Sequence, residues 1–257
     1  MTFFVRVACA AAMLGVVPAG VSAQLIDNRF KAIDSIQKMD AAFAAGSVLV
    51  LGRNPQGSET SQWIAMMASP EYGMSEQVAH GITFLDAAKF LKMLIAKPAG
   101  AAVRAEAIDN AYQEVYGRPS TAVEQAGWDA QVKASKAWFA SIVVKESATL
   151  NASPAERKAM IDRAYQRAEG RAPYAGDAQF WGPKNQHFRE IVEAERAWLY
   201  TDKGANELVA VAGRAWLALY GSPPTDANTK AMLIKATPTK MVYAEMVKPA
   251  KAIKIAP

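Results

Sequence analysis

Apolar residues along positions 24–257 recur mostly every three to four residues, the period of one helix face rather than of a strand. Only the short run Ser47-Val48-Leu49-Val50-Leu51 carries a trace of strand-like alternation. The pattern predicts helices near 28–45, 59–69, 75–96, 101–116, 121–149, 154–169, 184–200, 205–220, 226–236 and 238–247. Their ends carry stop signals: Gly46, the break Lys97-Pro98-Ala99-Gly100, Gly117, Gly170, Gly204 and Gly221. Glycine fits the left-handed residue just past a helix, and a following proline prevents continuation. Two starts read as capping boxes, Ser153-Pro154-Ala155-Glu156 and Thr121-Ala122-Val123-Glu124. In each the hydroxyl accepts a backbone N–H and the glutamate can return the bond. The predicted fold class is all-α, a multi-helix bundle.

Superimposed on this period is a longer one. The segments Ile108–Pro119, Ile161–Pro173 and Ala215–Pro223 align, and Leu51-Gly52-Arg53-Asn54-Pro55 is a partial fourth copy. Eleven residues after each glycine (Gly52, Gly117, Gly170, Gly221) stand Trp63, Trp128, Trp181 and Met232. A fixed offset that recurs four times predicts about three to four duplicated helix-turn-helix units. Aromatic pairs one turn apart, Tyr112/Tyr116 and Trp216/Tyr220, mark the buried stripe of each leading helix. Glu169 interrupts that stripe in the copy between them. The large residue eleven on is expected to fold back onto the stripe as core. The arginine after the glycine (Arg53, Arg118, Arg171) is expected to bond the carbonyls at the helix end.

The stretch Leu51-Gly52-Arg53-Asn54-Pro55-Gln56-Gly57, with Trp63 and then Met74-Ser75-Glu76-Gln77-Val78-Ala79, resembles an uncharacterised bacterial domain of exported and surface proteins. That domain carries Leu-Gly-Arg-x-Pro, a tryptophan about one short helix later, and a Ser-led helix; it is distantly similar to phycobilisome linker domains. The resemblance implies an all-helical fold and a structural or interaction role, with no catalytic residues.

Residues 1–23, MTFFVRVACAAAMLGVVPAGVSA, change the picture of where the chain works. A single charge at Arg6, a short apolar run broken by Pro18 and Gly20, and the small residues Val21-Ser22-Ala23 read as a secretory signal peptide cleaved after Ala23. The only cysteine, Cys9, lies inside it, so the mature chain has neither disulfide nor thiolate ligand. No later stretch is apolar and long enough to span a bilayer. The expected organisation is a leader over 1–23, an N-terminal helical region with the first copy over 24–99, a repeat region over 100–247 and a basic, mobile tail over 248–257. The expected location is the periplasm or the exterior.

The 257 residues are 51% hydrophobic and 21% charged, which is globular rather than disordered composition. The net charge of +5 is matched by the C-terminal end alone: residues 227–257 hold six lysines and one acid, Glu245. Lys248, Lys251 and Lys254 in the tail are therefore the candidate binding residues, for an envelope protein or an anionic glycan. Nothing points to nucleic acid, and no cofactor is expected.

Candidate chemistry is sparse. The two histidines, His80 and His187, have no nucleophile pattern beside them. His187-Phe188-Arg189-Glu190 with Glu193 places ionisable groups on adjacent turns without a full metal-ligand set, so no metal is expected. Val144-Lys145-Glu146-Ser147 resembles the Glu-Ser pair of peptidoglycan-cleaving lytic enzymes, where a buried glutamate acts as acid and base. The companion loops of those enzymes are missing. The sequence thus favours a non-catalytic scaffold of the cell envelope. The alternatives are a lytic transglycosylase-like enzyme using Glu146 and a small-ligand carrier with an aromatic interior.

Overall fold

A computed structural model describes residues 19–248, with side chains from residue 35 onward; every regular element among these is helical. The leader up to residue 18, and Lys251 and Lys254, lie outside the described residues. The chain forms two compact units. One holds the described residues through Val48 together with Asn54–Leu91, and the other holds Leu49–Arg53 together with the residues from Lys92 on.

In the first unit, α1 (Ala19–Leu51, running on into the second unit), α2 (Glu59–Met67), α3 (Ser75–His80) and the start of α4 (Phe84–Ala96) gather around aromatic rings. The Phe43 ring lies 5.7 Å from that of Trp63 and meets Phe90 edge-on at 6.2 Å, while Tyr72 packs on Phe90 at 4.9 Å. Two expectations fail here. Gly46 does not stop α1, and Ser47–Leu51 continue the helix to its end. A Cβ at Gly46 would lie 3.1 Å from both Ala87 Cβ and Ala88 N, so the glycine lets α4 approach α1 closely. The single helix expected over 75–96 is broken at Gly81, whose φ is +103°. A new start follows at Thr83, whose hydroxyl accepts from Asp86 N while the Asp86 carboxylate accepts from Thr83 N at 3.0 Å.

The second unit continues from α4 with a 3-10 turn at Pro98–Gly100, then α5 (Ala101–Tyr116), α6 (Ala122–Lys133), α7 (Phe139–Asn151), α8 (Pro154–Ala168), α9 (Ala175–Trp181), α10 (Phe188–Leu199), α11 (Ala205–Tyr220), α12 (Asp226–Ala236) and α13 (Tyr243–Met246). α5 packs against α6, α7 and α10; α8 against α7, α9, α10 and α13; α11 against α10, α12 and α13. Each long helix buries one stripe. In α5 this is Arg104, Ala107, Ile108, Ala111, Tyr112, Val115 and Tyr116, at spacings of one, three and four. The helix expected over 121–149 is two, because Ser135 takes a left-handed φ of +56° between α6 and α7. α9 was not predicted by the periodicity, and the helix expected over 184–200 begins only at Phe188. The capping box at Thr121 forms in both directions, with Glu124 Oε2 accepting from Thr121 N at 2.6 Å. At Ser153 the hydroxyl accepts from Glu156 N at 3.5 Å, and Glu156 turns toward Arg163.

The four glycines form four corners of the same backbone shape, with φ of +73° at Gly52, +71° at Gly117, +72° at Gly170 and +69° at Gly221. A side chain is strained in this left-handed region. Three corners lie under an aromatic ring that opens a later helix: Phe139 over Gly52, Phe188 over Gly117 and Tyr243 over Gly170. A Cβ at these glycines would stand 2.3, 2.2 and 2.4 Å from the ring atoms. Gly221 has nothing within 4 Å of that position.

The arginine after each glycine pairs with carboxylates. Arg53 makes a two-pronged pair with Glu106 at 2.7 and 2.8 Å, and Arg118 makes one with Glu124 at 2.8 Å in both prongs. A planar fork pairs better with a carboxylate than with a lone carbonyl. The last carbonyl before each corner is instead reached from the following long helix. Asn110 Nδ2 donates to Leu51 O at 2.8 Å, Arg163 Nε to Tyr116 O at 2.6 Å and Arg214 Nε to Glu169 O at 2.8 Å. Each donor stands seven residues before its own corner glycine.

Gly117→Val combines left-handed strain with collision against the Phe188 ring and should cost about 2–4 kcal/mol in urea unfolding. Gly57→Ala, at a φ of +52° with open space around it, carries strain alone and should cost about 1 kcal/mol. Equal losses in the two variants would show that the ring contact contributes nothing.

Candidate functional site

At the Gly117 corner the Tyr112 and Tyr116 rings stack at 5.3 Å, and Trp128 folds back on them from α6. Its indole N–H lies 3.3 Å from the Tyr112 hydroxyl and donates to Glu146 Oε1 at 2.8 Å, while the Tyr116 hydroxyl donates to Glu146 Oε2 at 2.8 Å. Both oxygens of the glutamate considered for catalysis therefore accept from core aromatics. The Gly170 corner carries the matching set. The Trp181 indole donates to the Tyr165 hydroxyl at 3.1 Å and to Glu195 Oε1 at 3.0 Å, and Tyr165 donates to the same oxygen at 2.6 Å. Burial and the neighbouring Glu195 charge push the Tyr165 phenol far above its ordinary pKa, so the hydroxyl stays a donor.

The two corners differ in the residue that precedes the glycine. Where Tyr116 stands before Gly117, Glu169 stands before Gly170, and before Gly221 the ring returns as Tyr220, 4.1 Å from Trp216. Glu169 is fully buried, and neither carboxylate oxygen accepts a well-directed hydrogen bond. Its charged neighbour is Arg171, with Nη2 at 2.7 Å from Oε2. Arg171 is divided among Glu169, Asp177 at 3.1 Å and Glu207 at 3.3 Å, and its guanidinium lies over the rings of Tyr174 and Tyr165. Burial outweighs this shared ion pair, helped by the charges of Glu195, Glu207 and Asp177, and the Glu169 carboxyl is pushed up to about 8.

A cleft of about 450 Å³ opens at this corner. Tyr165, Phe180, Trp181 and Trp198 wall it, and Glu169, Arg171, Asp177 and Glu195 supply its polar groups. Phe180 and Trp198 are exposed at the rim, whereas Trp181 and Glu195 are buried in the wall. Lys184 rests its ammonium 2.9 Å from the centre of the Phe180 ring. A second cleft of about 450 Å³, lined among others by Asn110, Glu114, Arg189, Arg196 and Glu245, is crossed by ion pairs: Arg189 with Glu114 at 2.9 Å and Arg196 with Glu245 at 2.8 Å.

The remaining sequence candidates are placed as follows. Trp63, Trp128, Trp181 and Met232 are all buried. Lys248 is exposed. His80 is exposed at the end of α3. The His187-Phe188-Arg189-Glu190 run is the start of α10, in which the Glu190 carboxylate accepts from His187 N at 3.0 Å. Among the described residues no three metal-ligating side chains converge, and no helix is long and apolar enough to cross a membrane.

Sequence reasoning missed Glu195, and it missed two buried arginines. Arg104 donates to Ile95 O at 2.6 Å and to Lys97 O at 3.2 Å, and Arg157 donates to Trp181 O at 3.0 Å and Gly182 O at 2.7 Å. Each closes the end of a neighbouring helix. Both stand thirteen residues before their corner glycine, a register that could have exposed them.

Compared with known protein families, with characterised proteins and with solved structures, the chain matches none.

Trp128→Ala should cost about 3–5 kcal/mol, because it empties a core site and leaves Glu146 Oε1 without its donor; an unchanged melting temperature would refute that placement. The Glu169 carboxyl yields a pH signature with a defined sign. Its ordinary value is 4.5, so between there and about 8 the folded protein holds a proton that the unfolded chain has lost. Its contribution to stability therefore declines as pH rises through that window. Glu124 works oppositely: paired with Arg118, it is lowered to about 2, and its contribution is lost as pH falls below the ordinary carboxylate value. In urea titrations, Glu169→Gln should gain stability relative to the native chain from pH 5 to pH 8. A difference independent of pH would contradict the placement of Glu169.

Proposed function

We propose that this chain is an exported helical scaffold of the bacterial cell envelope, built from three to four duplicated helix-turn-helix units and acting by binding rather than by catalysis. One observation carries the reading. Three successive helix ends, at Leu51, Tyr116 and Glu169, are each closed by a side chain seven residues before the next corner glycine. Such an arrangement extends by adding units and presents the clefts between them as binding surfaces. The leader and the lysines at 248, 251 and 254 support an extracytoplasmic site of action and a partner that is an envelope protein or an anionic glycan.

The reading of Glu146 as a lytic acid is the less supported one. Trp128 and Tyr116 hold both its oxygens, and Glu195 serves the same donors at the next corner without any Glu-Ser pair.

Two measurements test the proposal together. The protein recovered from the extracytoplasmic fraction should have the mass of a chain beginning at Gln24. Incubated with purified peptidoglycan sacculi, the mature protein and Glu146→Gln should release the same background level of muropeptides. Release by the native protein that Glu146→Gln abolishes would replace the scaffold with the enzyme, and retention in the cytoplasm with residues 1–23 intact would remove the envelope assignment.

A further inference from the structure

The Gly170 corner has the same Tyr-Trp-Glu lining as the Gly117 corner, yet the space beside it is open. At Gly117 the second ring of the pair, Tyr116, stacks on Tyr112 at 5.3 Å and donates to the glutamate behind it. At Gly221 the second ring, Tyr220, packs on Trp216 at 4.1 Å. At Gly170 that ring is missing from the sequence, and Glu169 takes its place with a side chain too short and too polar to stack. The cleft of about 450 Å³ lies at this corner, large enough for one small aromatic molecule.

What could occupy it is set by what lines it. The walls are flat rings: Tyr165 and Trp181 deep in the wall, Phe180 and Trp198 at the rim. The floor is acidic. Glu169 and Glu195 are both buried, and Asp177 lies beside them; Glu169 has two oxygens without a well-directed donor. The fixed cations are already engaged. Arg171 is shared by Glu169, Asp177 and Glu207, and Arg214 reaches Glu207 at 2.5 Å. Lys184 lies over the Phe180 ring, which shows that this wall holds a cation against an aromatic face. Among the lining residues three carboxylates face one cation, Arg171, and four aromatic rings.

We propose that the Gly170 corner is a binding site for a planar cation, an aromatic or heteroaromatic ring bearing an amidinium or guanidinium group. The ring stacks at the position that Tyr116 and Tyr220 hold at the Gly117 and Gly221 corners, and its N–H groups donate to the Glu169 carboxylate. This goes beyond the scaffold reading and rests only on the correspondence of the corners, so its failure would leave that reading standing.

Benzamidine, a phenyl ring carrying an amidinium, is the probe, and neutral benzamide is its control. Titrated into the full mature protein at pH 9, above the value of about 8 at which Glu169 ionises, benzamidine should shift the indole N–H signals of Trp181 and Trp198 in a ¹⁵N spectrum saturably, with a Kd on the order of 1 mM for so small a ligand. Benzamide should bind at least tenfold more weakly. Glu169→Tyr supplies the ring found at the Gly117 and Gly221 corners; it should raise the melting temperature and abolish the shifts. Glu169→Gln keeps the cleft and removes its charge, and should bind benzamidine no better than benzamide. Absence of a saturable shift in the native protein, or undiminished benzamidine binding by a folded Glu169→Tyr or Glu169→Gln, overturns the proposal.

Discussion

A helix that ends at a left-handed glycine leaves its last carbonyls without intrahelical donors, and inside a bundle water cannot serve them all. The larger unit is organised around how this is resolved. Asn110, Arg163 and Arg214 each reach from the following long helix to the carbonyl one residue before the corner. The glycine has no Cβ, so an aromatic ring from a later helix can lie on the same corner. The corners at Gly52, Gly117 and Gly170 thus each tie their helix to two others, by a hydrogen bond and by a ring contact. Neither bond forms without the other helix in place, so local order at a corner and packing of the long helices are one cooperative event.

The arginines show how placement divides similar side chains between tasks. Arg163 and Arg214 use a single N–H on a carbonyl, while Arg53 and Arg118 use two on a carboxylate. Arg104 and Arg157 are nearly fully buried and close the ends of α4 and α9. A buried guanidinium is tolerated only where its donors are met, and the carbonyls of helix ends are the acceptors that such a bundle has in surplus. A lysine, with a compact charge and no fork, could not bridge the two carbonyls that Arg157 bridges at Trp181 and Gly182.

Much of this was legible in the chain. The corner glycines, the tryptophans eleven residues on and the Thr121 box are rare residues at fixed offsets, and rarity is what a reader can see. Three things were not legible. The helix-opening rings Phe139, Phe188 and Tyr243 stand 87, 71 and 73 residues after the glycines they cover, too far in sequence and too unevenly spaced for their register to show. The break after Lys133 carries no glycine or proline; Ser135 adopts a left-handed backbone there for reasons of packing that periodicity does not encode. Gly46 reads as a stop from its type alone, but the approach of Ala87 and Ala88, distant in sequence, keeps it within a helix.

Glu169 was legible as an interruption, and the structure gives the interruption a physical meaning. A corner can be filled by an aromatic pair, as at Tyr112/Tyr116, and then it contributes dispersion and hydrophobic burial; the Trp216/Tyr220 pair packs ring on ring but, against expectation, leaves Tyr220 exposed. Replacing the second ring by a carboxyl gives up that contact and adds the cost of burying an acid, which the raised pKa of Glu169 expresses. Arg171 offsets only part of this, because Asp177 and Glu207 draw on the same guanidinium. A fold selected for stability alone would keep an apolar side chain there, as the other corners do with Leu51, Tyr116 and Tyr220. The corner that departs from the pattern is also the one beside an aromatic-walled cleft, and buried polar groups that cost stability concentrate where a protein does something other than hold itself together.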